Sequence, residues 1–148
     1  MFDARESGST GGAVALLAGA NASGKIDLYY DDGFRILGPT TVNDSSWHHI
    51  AVVKNSGSIQ MYLDGSTYGS SYSDSASLST NDTMKIGVNF VDGYDYNGYI
   101  DEFRVSNTAR YTTGFTVDTA PFVNDDNTLL LLHMDGTDGS TFFEDVNG

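Results

Sequence analysis

Hydrophobic and polar residues alternate along most of this chain with a period of two. The pattern is clear at 26–30, and it recurs at 59–63 and 86–90. A period of two gives a strand one apolar and one polar face, and no segment shows the 3.6-residue period of an amphipathic helix. The pattern therefore predicts an all-β protein, with at most one helical turn around 107–111.

Short clusters rich in glycine, asparagine and aspartate separate the predicted strands. They lie at 21–24, 31–33, 55–57 and 64–65. These residues adopt positive φ at low cost, so each cluster predicts a tight turn. Strands joined by turns at intervals of about ten residues are typical of an antiparallel sandwich or barrel.

Two stretches depart from the alternation. The second half of 47–53 is apolar on both faces, which is typical of a central strand that is covered on both sides. The serine-rich stretch at 66–82 has few large apolar side chains. It predicts a long connection with a weak edge strand.

The most hydrophobic run of the chain follows a polar linker at 124–127. Exposure of such a run would promote aggregation. It is therefore expected to pair with the sheet of its own domain, with another copy of the chain, or with a module outside this sequence. The apolar residues of this predicted assembly strand are Leu129, Leu130, Leu131, Leu132 and Met134.

The net charge of the chain indicates which kinds of partner are not expected. The 148 residues include 20 acidic and 7 basic side chains, a net charge of 7 − 20 = −13. The basic residues are scattered, and a negative field repels nucleic-acid phosphates and anionic membranes, so neither is an expected partner. The apolar run at 13–20 is too short to span a bilayer. The absence of cysteine excludes disulfides and thiolate metal sites.

The order of motifs resembles the laminin G-like branch of the concanavalin A-like lectin and glucanase superfamily. Trp47 enters one strand, the next strand ends in an Asp-Gly turn at 64–65, and a late strand and turn match at 98–111. The resemblance implies a two-sheet antiparallel jelly-roll sandwich over residues 1–123. Residues 124–148 would form a linker and a strand that pairs with its own or a neighbouring sheet.

The resemblance also implies a function. We expect a non-catalytic, lectin-like carbohydrate-binding or adhesion module. Related domains occur in structural proteins of marine bacterial viruses, so a virion or extracellular location is expected. The segment at 129–136 resembles a strand that normally opens such a domain, although here it closes the chain.

Three explanations of that order are open: a fragment of a tandem array, a circular permutation, or a strand donated to the next subunit. Donation would make the protein a self-assembling fibre subunit or another homo-oligomer.

A glucanase-type catalytic site is not expected. Glucanases of the resembled superfamily carry carboxylates in a Glu-x-Asp-x-Glu arrangement, whereas the matching positions here are Tyr99, Asp101 and Phe103. Adjacent strand residues point to opposite faces, so Asp101 and Glu102 cannot form the carboxylate pair of a glycosidase. Asp101 is expected to cap a turn or to contact Arg110.

The three histidines are interpreted as structural residues. Adjacent strand histidines diverge, so His48 and His49 do not form a metal site by themselves, and only His133 could join either of them. No serine lies in the motif that positions a catalytic nucleophile.

One loop in the second half of the chain carries the predicted binding site. Tyr94 and Tyr96 offer flat rings with polar tips beside Asn97, which suits sugar hydroxyls. Asp92 and Asp95 supply hard oxygens of the kind that calcium prefers. We therefore predict glycan binding at the two tyrosines and Asn97, with calcium as the candidate cofactor at the two aspartates. The alternative, that one or both rings cover the core, is open.

Overall fold

The computed structural model describes residues 1–4, 14–19, 23–76, 83–88 and 95–148. Within these ranges the chain forms strands, turns and bends and no helix, so the all-β prediction is confirmed. In chain order the strands are β1 (Phe2–Asp3), β2 (Val14–Ala18), β3 (Ile26–Tyr30), β4 (Gly33–Ile36), β5 (Ile50–Asn55), β6 (Ser58–Leu63), β7 (Ser66–Thr67), β8 (Tyr72–Ser73), β9 (Lys85–Ile86), β10 (Phe103–Ser106) and β11 (Thr128–Leu132).

The described strands form three antiparallel sheets. The five-stranded sheet has the order β4-β3-β2-β1-β9, and the four-stranded sheet has the order β5-β6-β7 with β8 also paired to β6. Strands β10 and β11 form the third sheet. It contacts the five-stranded sheet through the rings of Phe2 and Phe103, whose centroids lie 6.0 Å apart.

Three of the predicted turns connect consecutive strands as two-residue hairpin loops. Both loop residues have positive φ at 31–32, 56–57 and 64–65. Two successive positive φ angles define the turn whose twist matches that of the flanking strands. The polar and glycine clusters therefore set the register of the hairpins β3-β4, β5-β6 and β6-β7.

The core lies between the two larger sheets. Leu28 and Ile36 of the five-stranded sheet pack in one buried cluster with Ile59 and Met61 of the four-stranded sheet. All four side chains are at most 2 % exposed. Face-to-face packing of antiparallel sheets around such a cluster is a sandwich, as predicted.

The strand predicted at 47–53 begins later in the structure, and its central position in the sheet stays a prediction. Strand β5 begins only at Ile50 and pairs with β6 alone among the described strands. A loop segment covers the outer face of this sheet, because the Phe115 ring packs on Tyr62 with centroids 5.7 Å apart. Tyr62, which the alternation assigned to the polar face, is consequently only 3 % exposed.

Two other segments can be compared with their predictions. The stretch at 66–76 forms the short strands β7 and β8 against β6, in line with a weak edge strand, and residues 77–82 lie outside the described ranges. The helical turn expected at 107–111 is wrong. Asn107 donates its backbone N–H to Asn127 O at 3.0 Å, so this backbone is bonded towards β11.

The hydrophobic run near the C-terminus pairs with its own chain. Strand β11 is antiparallel to β10, with Leu131 opposite Arg104. On its other edge, Leu131 donates its N–H to Asp145 Oδ1 at 3.0 Å and accepts a bond from the Val146 N–H at 2.9 Å. Leu131 is fully buried, whereas Leu129 is 55 % exposed. Donation of this strand to a neighbour stays a prediction.

No helix in the described residues has the length and apolar character needed to cross a membrane.

Candidate functional site

The loop predicted to bind glycan and calcium is described only in part. Asp92 and Tyr94 lie outside the described residues. Asp95 forms an isolated antiparallel bridge with Val88, which anchors the start of the described part. Tyr96 is 37 % exposed, and its ring does not cover the core.

Glycine at position 98 lets the Tyr96 ring lie close to the backbone. A Cβ at Gly98 would come within 2.8 Å of the ring, closer than side chains pack. Asn97 is exposed beside it. The arrangement presents a tyrosine ring and an amide to solvent, as the sequence predicted for a sugar contact.

Among the described residues no group of three or more histidine, aspartate or glutamate side chains is placed to hold a metal ion. Asp92 is not among them, so calcium at Asp92 and Asp95 stays a prediction.

A wide, open groove of about 870 Å³ lies in a different part of the surface. It is formed where the chain enters β5, leaves β6 and passes through the loop before β11. We call it the Trp47 groove, and its lining residues are 47–49, 64, 101–102, 115–122 and 135.

Trp47 is an exposed aromatic ring that lines the groove, and the exposed ring of Tyr99 lies next to it without lining the groove itself. Trp47 is 67 % exposed and Tyr99 is 85 % exposed. Their ring centroids lie 6.4 Å apart and the rings are tilted by 45°. Each ring combines a large apolar face with a polar edge, which is the surface that stacks on a sugar ring while its edge remains hydrated.

A histidine held between two carboxylates fixes the backbone next to Trp47. His48 Nδ1 lies 2.8 Å from Asp64 Oδ2, and its Nε2 lies 3.1 Å from Asp44 Oδ1. Asp64 Oδ1 accepts the His49 backbone N–H at 2.8 Å. The bond to Asp64 is the main cause that raises the pKa of His48 above its usual value. The end of β6 is therefore tied to the residues that lead into β5.

His49, in contrast to His48, lies in an apolar environment of aromatic rings. Its ring packs edge-on against Tyr111, Phe115 and Phe122, with centroids 5.4 to 6.2 Å apart. Its Nδ1 is buried and has no hydrogen-bond partner in the described part of the chain. Burial lowers the pKa of His49, so the ring is held neutral as the centre of an aromatic cluster. This packing agrees with the structural interpretation of the histidine.

Glu102 is the other internal anchor of the Trp47 groove. Its Oε1 lies 2.8 Å from His133 Nδ1, and its Oε2 accepts the Phe122 backbone N–H at 2.7 Å. The positive φ of Glu102, 51°, interrupts the strand alternation at this residue. His133 therefore pairs with Glu102 and not with His48 or His49.

The expected contact between Asp101 and Arg110 is wrong. Arg110 forms a two-bond ion pair with Asp125, at 2.7 and 2.9 Å. This pair lowers the pKa of Asp125 and ties Arg110 to the linker that leads into β11. Asp101 Oδ1 instead accepts the Glu102 backbone N–H at 3.0 Å, which matches the turn-capping alternative.

The carboxylates of the Trp47 groove differ in how many of their oxygens accept hydrogen bonds within the described residues. Both oxygens of Asp64 and both oxygens of Glu102 already accept bonds from a histidine and a backbone N–H. Asp101 and Asp118 each accept one backbone N–H through Oδ1 and are exposed, and their second oxygens have no hydrogen-bond partner among the described residues. The groove thus offers acceptors for hydroxyl or ammonium donors beside two exposed rings.

Sequence reasoning did not select Trp47 and Tyr99 as binding residues. Trp47 was placed inside a strand, and Tyr99 was considered only as a position that lacks a catalytic acid. A usable signal was present, because the polar run at 43–46 immediately precedes the tryptophan and places it outside the strand.

The comparison with family models agrees with the fold. A laminin G model, described as the Concanavalin A-like lectin/glucanases superfamily, matches residues 1–113. No curated protein and no solved structure matches the chain significantly. The matched range includes Trp47 and Tyr99 and ends before β11. The chain therefore belongs to the concanavalin A-like lectin/glucanase superfamily.

Proposed function

We propose that this protein is a non-catalytic, lectin-like module that binds glycans in the Trp47 groove. The observation that carries the proposal is the exposed pair of Trp47 and Tyr99 beside carboxylates that still have free acceptor positions. Membership of a superfamily whose members are often carbohydrate-binding or adhesive supports it.

Binding would occur through stacking and hydrogen bonds without bond cleavage. The apolar face of a sugar ring would lie on the Trp47 indole, and sugar hydroxyls would donate to the free oxygens of Asp101 and Asp118. The groove is open, so one site buries little of its ligand. Useful adhesion would therefore come from several copies acting together on a surface, in a virion or outside the cell.

The loop with Tyr94, Tyr96 and Asn97 is proposed as a second sugar contact. The exposure of Tyr96 and Asn97 supports this role. Calcium bound through Asp92 and Asp95 would order this loop, because calcium prefers carboxylate and carbonyl oxygens.

A glycan array is the direct test of the proposed function. The wild-type protein should bind a subset of glycans, and Trp47→Ala should weaken binding at least tenfold, or about 1.4 kcal/mol. Phe142→Ala is the matched control, because Phe142 is also exposed, at 75 %, and does not line the groove. Equal binding by Trp47→Ala and the control would contradict the proposal.

A second proposed function is self-assembly into a fibre through β11. The exposure of Leu129 on that strand favours a contact with another copy. In this arrangement a neighbour would add to, or replace, the pairing of β10 with β11.

A further inference from the structure

We propose that the Trp47 groove selects glycans that carry free amines, such as oligomers of glucosamine, over neutral and acidic glycans. This inference rests on the proposed function and specifies the class of its ligand. It is argued from the charge of the groove, the free carboxylate oxygens and the exposed rings.

Acidic side chains outnumber basic ones along the groove, where the basic side chains among the described lining residues are His48, which pairs with Asp64, and the neutral His49. Five carboxylates line it, and no lysine or arginine is among the described lining residues. Arg104 stacks on the Phe122 ring of the groove wall at 3.9 Å, and the five carboxylates remain in excess of this cation, as acids do in the whole chain with its net charge of −13. A charged groove of one sign attracts ligands of the opposite sign and rejects like charges, so uronate and sulfate groups are disfavoured.

Two of these acids have an oxygen to offer. Asp101 and Asp118 each accept one backbone N–H at 3.0 Å through Oδ1. Their Oδ2 atoms have no partner within the described ranges. An ammonium group has three donors and a positive charge, and its bonds to carboxylates are stronger than those of a hydroxyl.

The exposed rings favour the same ligand. A cation near the face of tryptophan or tyrosine is attracted by the electron density of the ring. Trp47, which lines the groove, and the neighbouring Tyr99 have ring centroids 6.4 Å apart and are both exposed, so both rings are open to a ligand. A glucosamine unit would place its apolar ring face on one aromatic ring and its amine towards the carboxylates.

The test compares hexasaccharides of glucosamine, N-acetylglucosamine and glucose by isothermal titration calorimetry. The pH is kept below the pKa of the glucosamine amine, at physiological ionic strength so that long-range attraction is screened. The glucosamine hexamer should bind at least tenfold more tightly than the N-acetylglucosamine hexamer. Asp101→Asn with Asp118→Asn should bring this ratio close to one, because asparagine keeps the turn-capping oxygen and removes the charge.

The matched control is Asp126→Asn with Asp138→Asn, which changes the net charge equally at exposed positions that do not line the groove. The control should retain the tenfold ratio. Equal loss of the ratio in both double variants would show general charge attraction and overturn the inference. Tighter binding of hexalysine than of the glucosamine hexamer would also overturn it, because the ligand would then be a cationic peptide.

Failure of the proposed function has a different signature. If the three hexasaccharides bind equally well and Trp47→Ala weakens all of them, the amine preference is wrong and the glycan site stands. If no glycan binds to the wild-type protein, both proposals are wrong.

Discussion

Two adjacent histidines next to Trp47 have opposite electrostatic roles. His48 lies between two carboxylates, which raise its pKa, whereas His49 lies among aromatic rings, which lower its pKa. A pKa shift between the folded and unfolded states makes stability depend on pH. These two neighbours therefore affect the pH dependence of stability in opposite directions.

The His48 ion pairs should stabilise the fold under mildly acidic conditions. Because its folded pKa lies above the unfolded value of 6.5, the contribution is complete below that value and is lost as pH rises through the folded pKa. His48→Gln should therefore lose more unfolding free energy relative to wild type at about pH 5.5 than at about pH 8.5. Urea denaturation at both pH values measures the difference.

His49→Phe serves as the control with the opposite sign. A folded pKa below 6.5 gives stability that is present above that value and lost as pH falls, so wild type should lose its advantage over this variant in acid. A free-energy difference independent of pH in both variants would contradict the assigned environments.

At the residue scale, the sequence predicted a solvent-facing tyrosine site but missed the aromatic pair. Trp47 and Tyr99 lie far apart along the chain, and the segment at 115–122, whose Phe115 packs on His49 and on Tyr62 of β6, supplies one wall of the groove. Pattern analysis measures spacing within one element, so it does not detect contacts between distant loops. The prediction that Asp101 and Glu102 point to opposite faces assumed a regular strand. Glu102 has a positive φ, so the backbone at this residue is not that of a strand.

At the scale of elements, the β6-β7 turn packs closely against the wall of the Trp47 groove. Phe115 donates its N–H to Gly65 O at 2.9 Å. A Cβ at Gly65, where φ is 79°, would overlap the Phe115 carbonyl oxygen. The turn therefore requires glycine both for its φ angle and for this approach.

Gly65→Ala should destabilise the protein more than Gly139→Ala. Both positions have positive φ, at 79° and 80°, so each substitution costs about 1–2 kcal/mol for the backbone conformation. Only Gly65 adds a steric overlap, since a Cβ at Gly139 meets no described atom within 4 Å. Thermal unfolding of the two variants measures the difference, and equal losses would disprove the close approach.

Strand β11 should contribute to the core of its own chain. Leu131 is fully buried, so Leu131→Ala should cost about 2–5 kcal/mol of unfolding free energy. Leu129 is on the same strand and 55 % exposed, so Leu129→Ala should cost less than about 0.5 kcal/mol. Urea denaturation checks both values. A small effect at Leu131 would indicate that β11 is not packed as described.

Two of the three stretches with strict alternation formed full strands, whereas the third, at 86–90, is a strand only at Lys85–Ile86, since Gly87 has a positive φ of 79° and residues 89–90 lie outside the described ranges. The stretches at 26–30 and 59–63 became β3 and β6, and their turns were located correctly. The start of the strand predicted at 47–53 was placed three residues too early, and the cover on its outer face does not require a further sheet, because a loop can provide it. Here the ring of Phe115 provides that cover for the neighbouring Tyr62.

At the scale of the whole molecule, the three sheets present the Trp47 groove on a strongly acidic surface. The net charge of −13 makes copies of the protein repel one another, so any self-assembly through β11 would have to overcome this repulsion. The fold class and the superfamily were predictable, because alternation, turns and motif order are all local in sequence. The intrachain partner of the last strand was not, since any exposed strand edge could accept it.

Removal of residues 128–148 distinguishes intrachain pairing from donation. If β11 pairs within its own chain, light scattering should show that the full chain is a monomer. The shortened chain should then also be a monomer, with a lower free energy of unfolding. If the shortened chain does not fold, Leu129→Asp is measured in its place. With intrachain pairing, this full-length variant should remain a monomer with the stability of the wild type. A full-length assembly that Leu129→Asp separates into folded monomers would support donation.

The most direct test of the Trp47 groove uses the single tryptophan of the chain as its own reporter. Titration with a glycan identified on the array should change the indole fluorescence in a saturable way, with the same affinity as calorimetry. Tyr99→Ala should weaken this affinity at least tenfold, about 1.4 kcal/mol. Calorimetric binding of the glycan without any change in Trp47 fluorescence, or with full affinity in Trp47→Ala, would contradict the account.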